Sequence, residues 1–318
     1  MKRISTATKV VDKFGAGKPG FTNGNAVTGL ASTDLEADWF DHLQEEVANV
    51  VESSGGVPDG SAYTQLMTAL KAMFSGVVGS ARNLNANIAV GTTANFTADE
   101  VVVESALSGL RFCLGALNAS INLATVGAGG MDTGAAPLNG YVAIYAIFNP
   151  ATNTRALLGR NATGAKASEV YGGVNMPAGF IASSLLAVVP TNASGQFVLC
   201  NVVDRNLTRV AVAPLIASGT LSASFISLII ASAVPLNARR VGGYCEYTNS
   251  VAANISMSVA ASAAGVGGMK TAGVITTNGQ PINIPFFLDL QTAQTLFYAT
   301  SVSSGSPSFT LAISSYEI

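Results

Sequence analysis

Two segments near the N-terminus carry apolar residues at the spacing of an α-helix. In the first, the apolar stripe recurs at intervals of three, four and three residues and consists of Phe40, Leu43, Val47 and Val50. A second stripe with the same spacing lies between 61 and 74, after a break at 53–56. The pattern predicts a helical hairpin with helices over 34–52 and 61–74. Two helices of this size cannot enclose a core, so we expect their stripes to close on each other and on another chain or the N-terminal arm.

Residues 1–30 show no sustained hydrophobic period. They are rich in Gly, Asn and Thr, and they hold five Lys or Arg against one acidic residue, Asp12. This predicts an irregular arm, and the sequence leaves open whether a packing partner holds it or whether it is a free tail. Where the arm ends, Thr33 and Glu36 have the spacing of a capping box, which predicts that they cap the first helix.

From about residue 85 the hydrophobic period changes to two, which indicates β-strands. The predicted strands lie at 87–96, 121–126, 141–148, 184–189, 197–203, 221–231, 239–247, 253–260, 273–277, 282–288, 295–301 and 309–316. Short strands separated by turn-rich breaks are typical of β-sandwich-like domains. A shift in pattern near 206–214 suggests a division, giving an N-terminal arm and helical region over 1–80, a middle β-rich domain over 81–209 and a C-terminal β-sandwich over 210–318. The expected fold is therefore mostly β.

The composition removes several classes of function. Charged residues make up 11% of the 318 residues, and 16 Lys plus Arg against 18 Asp plus Glu give a net charge of −2, so general nucleic-acid binding is not expected. The most apolar stretch, 225–234, is too short to span a membrane, and residues 1–18 lack the apolar run of a secretory signal. Three well-separated cysteines and one histidine argue against a disulfide framework or a zinc site.

Three local motifs suggest chemistry, but each lacks a part that the chemistry needs. Residues 15–20 match G-x-G-x-x-G without the βαβ unit that a nucleotide site requires. The sequence Asp132-Thr133-Gly134 has the form of an aspartic-protease loop, yet the chain has one copy, and that reaction needs two carboxylates. His42 lies four residues from both Asp38 and Glu46, an arrangement more typical of a solvated helix surface than of a metal site. We therefore expect no catalytic residue, no metal and no cofactor, and we do not expect an enzyme.

Several segments resemble tail fibre proteins of tailed bacteriophages. The arm sequence KFGAGKPGF at 13–21, TDLEADWF at 33–40 and QEEVANV at 44–50 are similar to the N-terminal attachment region of these fibres. Residues 129–150 and 171–192 are similar to their central portion, whereas 210–318 resembles fibre tips in general character. The resemblance implies a homotrimeric fibre made in the host cytoplasm and located in the virion at the tail tip or baseplate. Its expected partners are a baseplate or tail-tip protein and a glycan or protein receptor on the bacterial surface.

The resemblance also gives the apolar helix residues a role. In a trimer, the stripe of the first helix would lie near a shared core, and Trp39, the single tryptophan, would anchor it. The expected trimer or attachment contacts are Trp39, Phe40, Leu43, Val47 and Val50. Trp39 has an alternative role in packing within one chain. Tyr244 and Tyr247 are the expected receptor contacts.

Two alternative functions remain open. A tailspike-type glycan depolymerase would need a pair of carboxylates in a groove, which spatial pairing of Asp204, Glu246 or Asp289 would have to supply. A purely structural tail component would need no receptor site at all.

Overall fold

The computed structural model describes residues 2–74, 76–219 and 221–318. The chain divides into two compact units, residues 1–75 and residues 76–318. The first unit contains the arm and two helices, and the second is built from strands, so the protein is mostly β with large sheets, as predicted. Within the described residues, no helix has the length and apolar character needed to cross a membrane.

The first unit contains helices α1, Ala37–Ser53, and α2, Gln65–Phe74. The prediction that α2 begins at 61 is wrong, because residues 59–64 form a turn. The side chain of Gln65 accepts a hydrogen bond from the Asp59 N–H at 2.7 Å and donates one to the Asp59 carbonyl at 2.6 Å. Tyr63 lies within the predicted span of the second helix, 61–74, but the structure places it outside α2 with 96% of its surface exposed.

The predicted capping box is also wrong. Glu36 occupies the N-cap position of α1 but makes no side-chain capping hydrogen bond. Its carboxylate and the Thr33 hydroxyl bind the N-terminal arm instead. Contacts with residues far away in the sequence therefore take the place of the local cap.

The second unit contains seventeen strands among its described residues. They are β1 Ala81–Arg82, β2 Asn85–Ile88, β3 Thr93–Glu104, β4 Arg111–Asn122, β5 Gly130–Met131, β6 Tyr141–Asn149, β7 Thr154–Asn161, β8 Ala182–Pro190, β9 Cys200–Val203, β10 Asn206–Ser218, β11 Ile226–Ile229, β12 Arg240–Asn249, β13 Ala253–Ala260, β14 Met269–Ile275, β15 Ile282–Asp289, β16 Thr295–Val302 and β17 Pro307–Glu317. Strands β6, β8, β12, β13 and β15–β17 lie where alternation predicted strands, whereas β4 was predicted only at its end and β7 was missed.

These strands form two sheets. In the larger, thirteen strands pair, with the main order β15-β12-β17-β10-β9-β2-β3-β8-β6-β7-β5, and β1 and β4 also pair with β3. The smaller sheet has the order β11-β16-β13-β14. Apart from the parallel β5–β7 pair, the named strand pairs are antiparallel. Strand β10 passes through the position between 209 and 210 where a domain division was predicted, so the large sheet continues across it.

The core lies along the central strands and between the two sheets. All nine residues of β8 are buried, as are eight of the nine in β6, because these strands are covered on both faces. Near the C-terminus, β12 of the large sheet contacts β13 and β14 of the small one. The buried phenol of Tyr247 on β12 reaches the Gly273 position on β14, which shows how the two sheets face each other. This arrangement buries one side of β12 and leaves the other side at the surface.

Candidate functional site

The N-terminal arm is tied to the start of α1 by two polar side chains. The Glu36 carboxylate accepts hydrogen bonds from the Ser5 N–H at 2.8 Å and from the Ser5 hydroxyl at 2.9 Å, and Lys2 lies 3.4 Å away. These contacts, chiefly that of the Ser5 backbone N–H, lower the pKa of Glu36. The Thr33 hydroxyl accepts from the Thr22 N–H at 2.9 Å and donates to the Thr8 carbonyl at 3.2 Å. The arm is therefore held against the helix within one chain.

Trp39 lies where the arm meets α1. Its ring packs edge-on against Phe21 of the arm, with ring centroids 5.1 Å apart, and against Phe40 at the same separation. Trp39 is half-buried by these contacts. The structure thus shows the packing of Trp39 within one chain, while its contact with a partner stays a prediction.

An apolar groove of about 540 Å³ lies between α1, α2 and the loop that joins them. The predicted contact residues Phe40, Leu43 and Val47 line it. Phe40 is 45% exposed and Val47 is 39% exposed, although both belong to the apolar stripe. Val50, the last of the predicted set, is half-buried outside the groove lining, whereas its neighbour Val51 is buried inside it. The short α2 leaves part of the α1 stripe uncovered.

The two predicted receptor tyrosines have opposite environments. Tyr247 is 0% exposed, and its ring packs near Phe309 with centroids 6.3 Å apart. It cannot touch a receptor in this fold, so that prediction is corrected: its position on β12 points toward the small sheet. Tyr244, three residues earlier, points to the other side and is half-exposed. Its role as a receptor contact stays a prediction.

Tyr244 borders a shallow depression at the edge of the large sheet. The depression has a volume of about 360 Å³ and is also lined by Glu246, Asn283 and Pro285. On the same sheet face, Phe287 of β15 is 67% exposed. Phe287 pairs with Gly242 of β12, and a Cβ added to Gly242 would lie 2.7 Å from the Phe287 ring. Because glycine has no side chain, the Phe287 ring can lie close against β12. Adjacent residues of a strand point to opposite faces, so of the aromatic pair Phe286 and Phe287 the first is buried and the second is exposed.

Several carboxylates of the β unit have structural partners, including Asp132 and Asp289, which were considered for catalysis. Asp132 is buried and accepts a hydrogen bond from the Tyr171 hydroxyl at 2.8 Å. Glu169 binds Arg205 through two contacts of 2.9 and 3.1 Å. Asp289 lies 2.6 Å from Arg240, which also contacts Glu317 at 3.2 Å.

Side chains of the types that can ligate a metal ion are scattered over the described part of the chain. His42 is exposed on α1. Residues 2–74, 76–219 and 221–318 contain no group of three or more His, Cys, Asp or Glu that could hold a metal ion. The three cysteines are free thiols, and burial raises the pKa of Cys200 and Cys245 to about 12.

Comparison with known proteins finds a related sequence that matches part of this chain. No protein-family model matches the chain. The Escherichia coli (strain K12) protein described as "Uncharacterized protein StfP" is 55% identical over 73 residues, which cover 23% of this chain and 35% of StfP. The chain thus spans about a third of the length of this relative.

Two solved structures show weak similarity to the fold. The T13 IBDV viral particle is 13% identical with a TM-score of 0.23, covering 78% of this chain and 73% of the other. A Bacillus thuringiensis Cry1Da tryptic core variant is 7% identical with a TM-score of 0.18, covering 81% and 56%. Scores this low carry no argument about fold or function.

Proposed function

We propose that this protein is a tail fibre component of a tailed bacteriophage, with adhesion to a bacterial surface as its role. In this proposal, the N-terminal unit docks on the baseplate or tail tip, and the β unit presents a receptor-binding surface. The fibre is a homotrimer located in the virion, and it has no catalytic activity of its own. The sequence resemblance to fibre attachment regions and the partial relative StfP support this function.

The uncovered groove of the N-terminal unit carries the proposal. The unit holds its own arm through Glu36 and Thr33, yet it leaves Phe40 and Val47 partly exposed beside an apolar groove. Apolar surface of this kind is favourable to bury, at roughly 25 cal/mol per Å² removed from water. A unit that orders its polar arm but leaves an apolar stripe uncovered is suited to assembly with other chains.

The surface around Tyr244 and Phe287 is the best candidate for receptor contact in the β unit. It combines two partly exposed aromatic rings with the carboxylate of Glu246 and the amide of Asn283. Aromatic rings pack on apolar faces, and the neighbouring polar groups accept or donate hydrogen bonds, so this chemistry suits a sugar or a peptide. Several such weak sites on one fibre give strong attachment through avidity.

The depolymerase alternative receives little support from the carboxylates. Glycoside hydrolysis requires two carboxyl groups that face each other across the sugar. Asp289 and Glu317 share Arg240 between them, and Asp132 is buried against Tyr171. Partners of this kind hold the carboxylates in place as structural groups.

Binding of the purified full chain to intact Escherichia coli K12 cells tests the proposal, because StfP comes from that strain. We expect saturable binding that falls at least about tenfold in the double variant Tyr244→Ala/Phe287→Ser, as is typical for loss of central aromatic contacts. The matched control Val174→Ser changes a 96% exposed apolar residue elsewhere and is expected to bind like the wild type.

Three outcomes would contradict parts of this proposal. Absence of binding to K12 cells and to other bacterial strains would contradict the adhesive role. Equal binding by the double variant would place the receptor site elsewhere. Release of reducing sugar from the cells would favour the depolymerase.

A further inference from the structure

Arg209 places a positive charge on the core-facing side of the large sheet. On β10, Arg209 lies two residues after Leu207, which is buried, so the two side chains share a face. Directly opposite on β9 it pairs with Cys200, which is also buried. Arg209 itself is half-buried. An arginine in such a row is unusual, because charged side chains are rarely placed among apolar ones without a partner.

The backbone around Arg209 departs from regular pairing. Thr208 pairs with Ser315 of β17, and the next pair is Val212 with Ile313. Strand β10 therefore advances four residues while β17 advances two, so 209–211 form a β-bulge with two extra residues. Bulges bend a strand and redirect side chains, and they are frequent beside functional sites.

The described residues provide no negative charge to neutralise Arg209. Arg209 is not among the cations that form ion pairs in the described part of the chain, which are Lys2, Arg111, Arg205, Arg239 and Arg240. The Nε atom of Arg209 is buried and makes no hydrogen bond in the described structure. Burial raises the pKa of the Tyr141 phenol to about 12, and this effect is larger than that of Arg209, whose side-chain hydrogen bond with the phenol lowers the same pKa. Tyr141 is therefore a neutral partner at pH 7 and supplies no negative charge. A half-buried cation without an anionic partner is costly.

Arg209 also lines an open cavity with neutral polar walls. The cavity has a volume of about 440 Å³ and lies between β6, β8, β10 and the segment at 232. Asn139 and Ser232 are exposed at its rim, and Asn192 is half-buried there. Amide and hydroxyl groups add hydrogen bonds to a ligand without adding negative charge that would repel an anion.

We propose that Arg209 and this cavity bind an oxyanionic group, namely a carboxylate, sulphate or phosphate. The planar guanidinium presents parallel N–H donors that match two oxygens of such a group. The anion would supply the negative charge that neutralises Arg209, and the side chains of Asn139 and Ser232 at the rim would add hydrogen bonds. The group comes either from a free inorganic ion or from the acidic substituent of a sugar, and the experiment below distinguishes these sources. The proposal is independent of the fibre function.

Titration calorimetry of the full chain with sodium phosphate, sodium sulphate, methyl glucuronide and neutral methyl glucoside tests the site. We expect the wild type to bind at least one of the anions, with an affinity that weakens as salt is added. Arg209→Gln is expected to lose at least about tenfold in affinity, as for loss of a charge-assisted bidentate contact. Arg82→Gln, which changes an exposed arginine on β1, is the matched control and is expected to bind normally.

The pattern of binding identifies the source of the anion. Stronger binding of the glucuronide than of both phosphate and the glucoside indicates an acidic sugar. Binding of phosphate or sulphate without the glucuronide indicates a free ion. No heat with any of the three anions at about 100-fold the protein concentration would overturn the proposal. Unchanged affinity in Arg209→Gln would also overturn it.

Thermal unfolding gives a second readout that a purely structural arginine would not produce. In anion-free buffer, Arg209→Gln is expected to unfold at the wild-type temperature or above it, because the variant removes an unneutralised half-buried charge. The bound anion is expected to raise the midpoint of the wild type and not that of the variant.

The conservative variant Arg209→Lys keeps the experiment decisive if Arg209→Gln does not fold. The lysine retains the charge but loses the planar fork, so we expect at least about threefold weaker binding. Affinity equal to that of the wild type would overturn the assignment.

Discussion

Replacement of Thr33 by Val tests whether the arm is an integral part of the N-terminal unit. Thr33 is buried, and its hydroxyl joins two segments of the arm by accepting from the Thr22 N–H and donating to the Thr8 carbonyl. Valine has nearly the same shape as threonine but lacks the hydroxyl. The variant therefore removes both side-chain hydrogen bonds, whereas the Thr33 backbone N–H can still bind the Thr22 carbonyl at 3.0 Å.

The expected loss follows from the two hydrogen bonds. Each contributes about 0.5–1.5 kcal/mol, and a partly buried donor left without an acceptor adds to the loss. We expect the free energy of unfolding of the N-terminal unit to fall by about 2 kcal/mol. With a urea dependence of about 1–2 kcal/mol per molar for a unit of this size, the midpoint should fall by about 1–2 M.

Trp39 gives an assay specific to this unit. It is the single tryptophan of the chain, and it packs against Phe21 of the arm, so its fluorescence reports on the arm and α1. The matched control is Thr28→Val, because Thr28 is exposed and its hydroxyl makes a long contact of 3.4 Å with the Asn25 carbonyl. A Thr33→Val midpoint equal to that of Thr28→Val would refute the docked arm.

Two further predictions concern the β unit. Gly243→Ala is expected to destabilise this unit by more than about 3 kcal/mol, because the new Cβ would overlap the Ala312 carbonyl. Urea unfolding followed by circular dichroism measures this loss. The control is Gly115→Ala, whose new Cβ meets nothing closer than 4.0 Å, and an equal effect of the two variants would contradict the reasoning. Stability is also expected to fall as the pH rises from about 9 to 12, because burial raises the pKa of Tyr141 and Cys200 to about 12, and the folded state retains protons that the unfolded state has released. A urea midpoint that is constant or rises between pH 8 and pH 11 would refute this.

Local alternation was sufficient to predict many strands but not their partners. Strand β13 lies at the predicted 253–260, because its apolar and polar residues alternate regularly. Most of β4 was missed, since Gly115, Ala116 and Ala119 interrupt the apolar pattern on a strand with an exposed face. The division predicted near 209/210 falls inside β10, which pairs with β9 on one side and with β17 on the other. The local sequence of a strand does not indicate which strands it pairs with, so the sequence could not show that β10 joins the two regions.

The functional residues show the same limit. The spacing of Tyr244 and Tyr247 predicts that they point to opposite faces. Which face is buried depends on how the small sheet packs against β12, and the alternation of residues along one strand carries no information on that packing. Glu36 and Thr33 have the spacing of a cap, and the arm takes up both side chains. Arg209 carried a signal that was not used, namely a charge within an apolar strand.

The solution mass of the full chain, measured by light scattering, tests the fibre proposal most directly. We expect a homotrimer of about 97 kDa, three times the chain mass of 32.2 kDa, because a trimer covers the groove beside Phe40 and Val47. The variant Phe40→Ser/Val47→Ser should shift the protein toward the monomer, while the control Val174→Ser should not. A wild-type monomer at every concentration, or a trimer that the groove variant leaves intact, would contradict the assembly role of this groove.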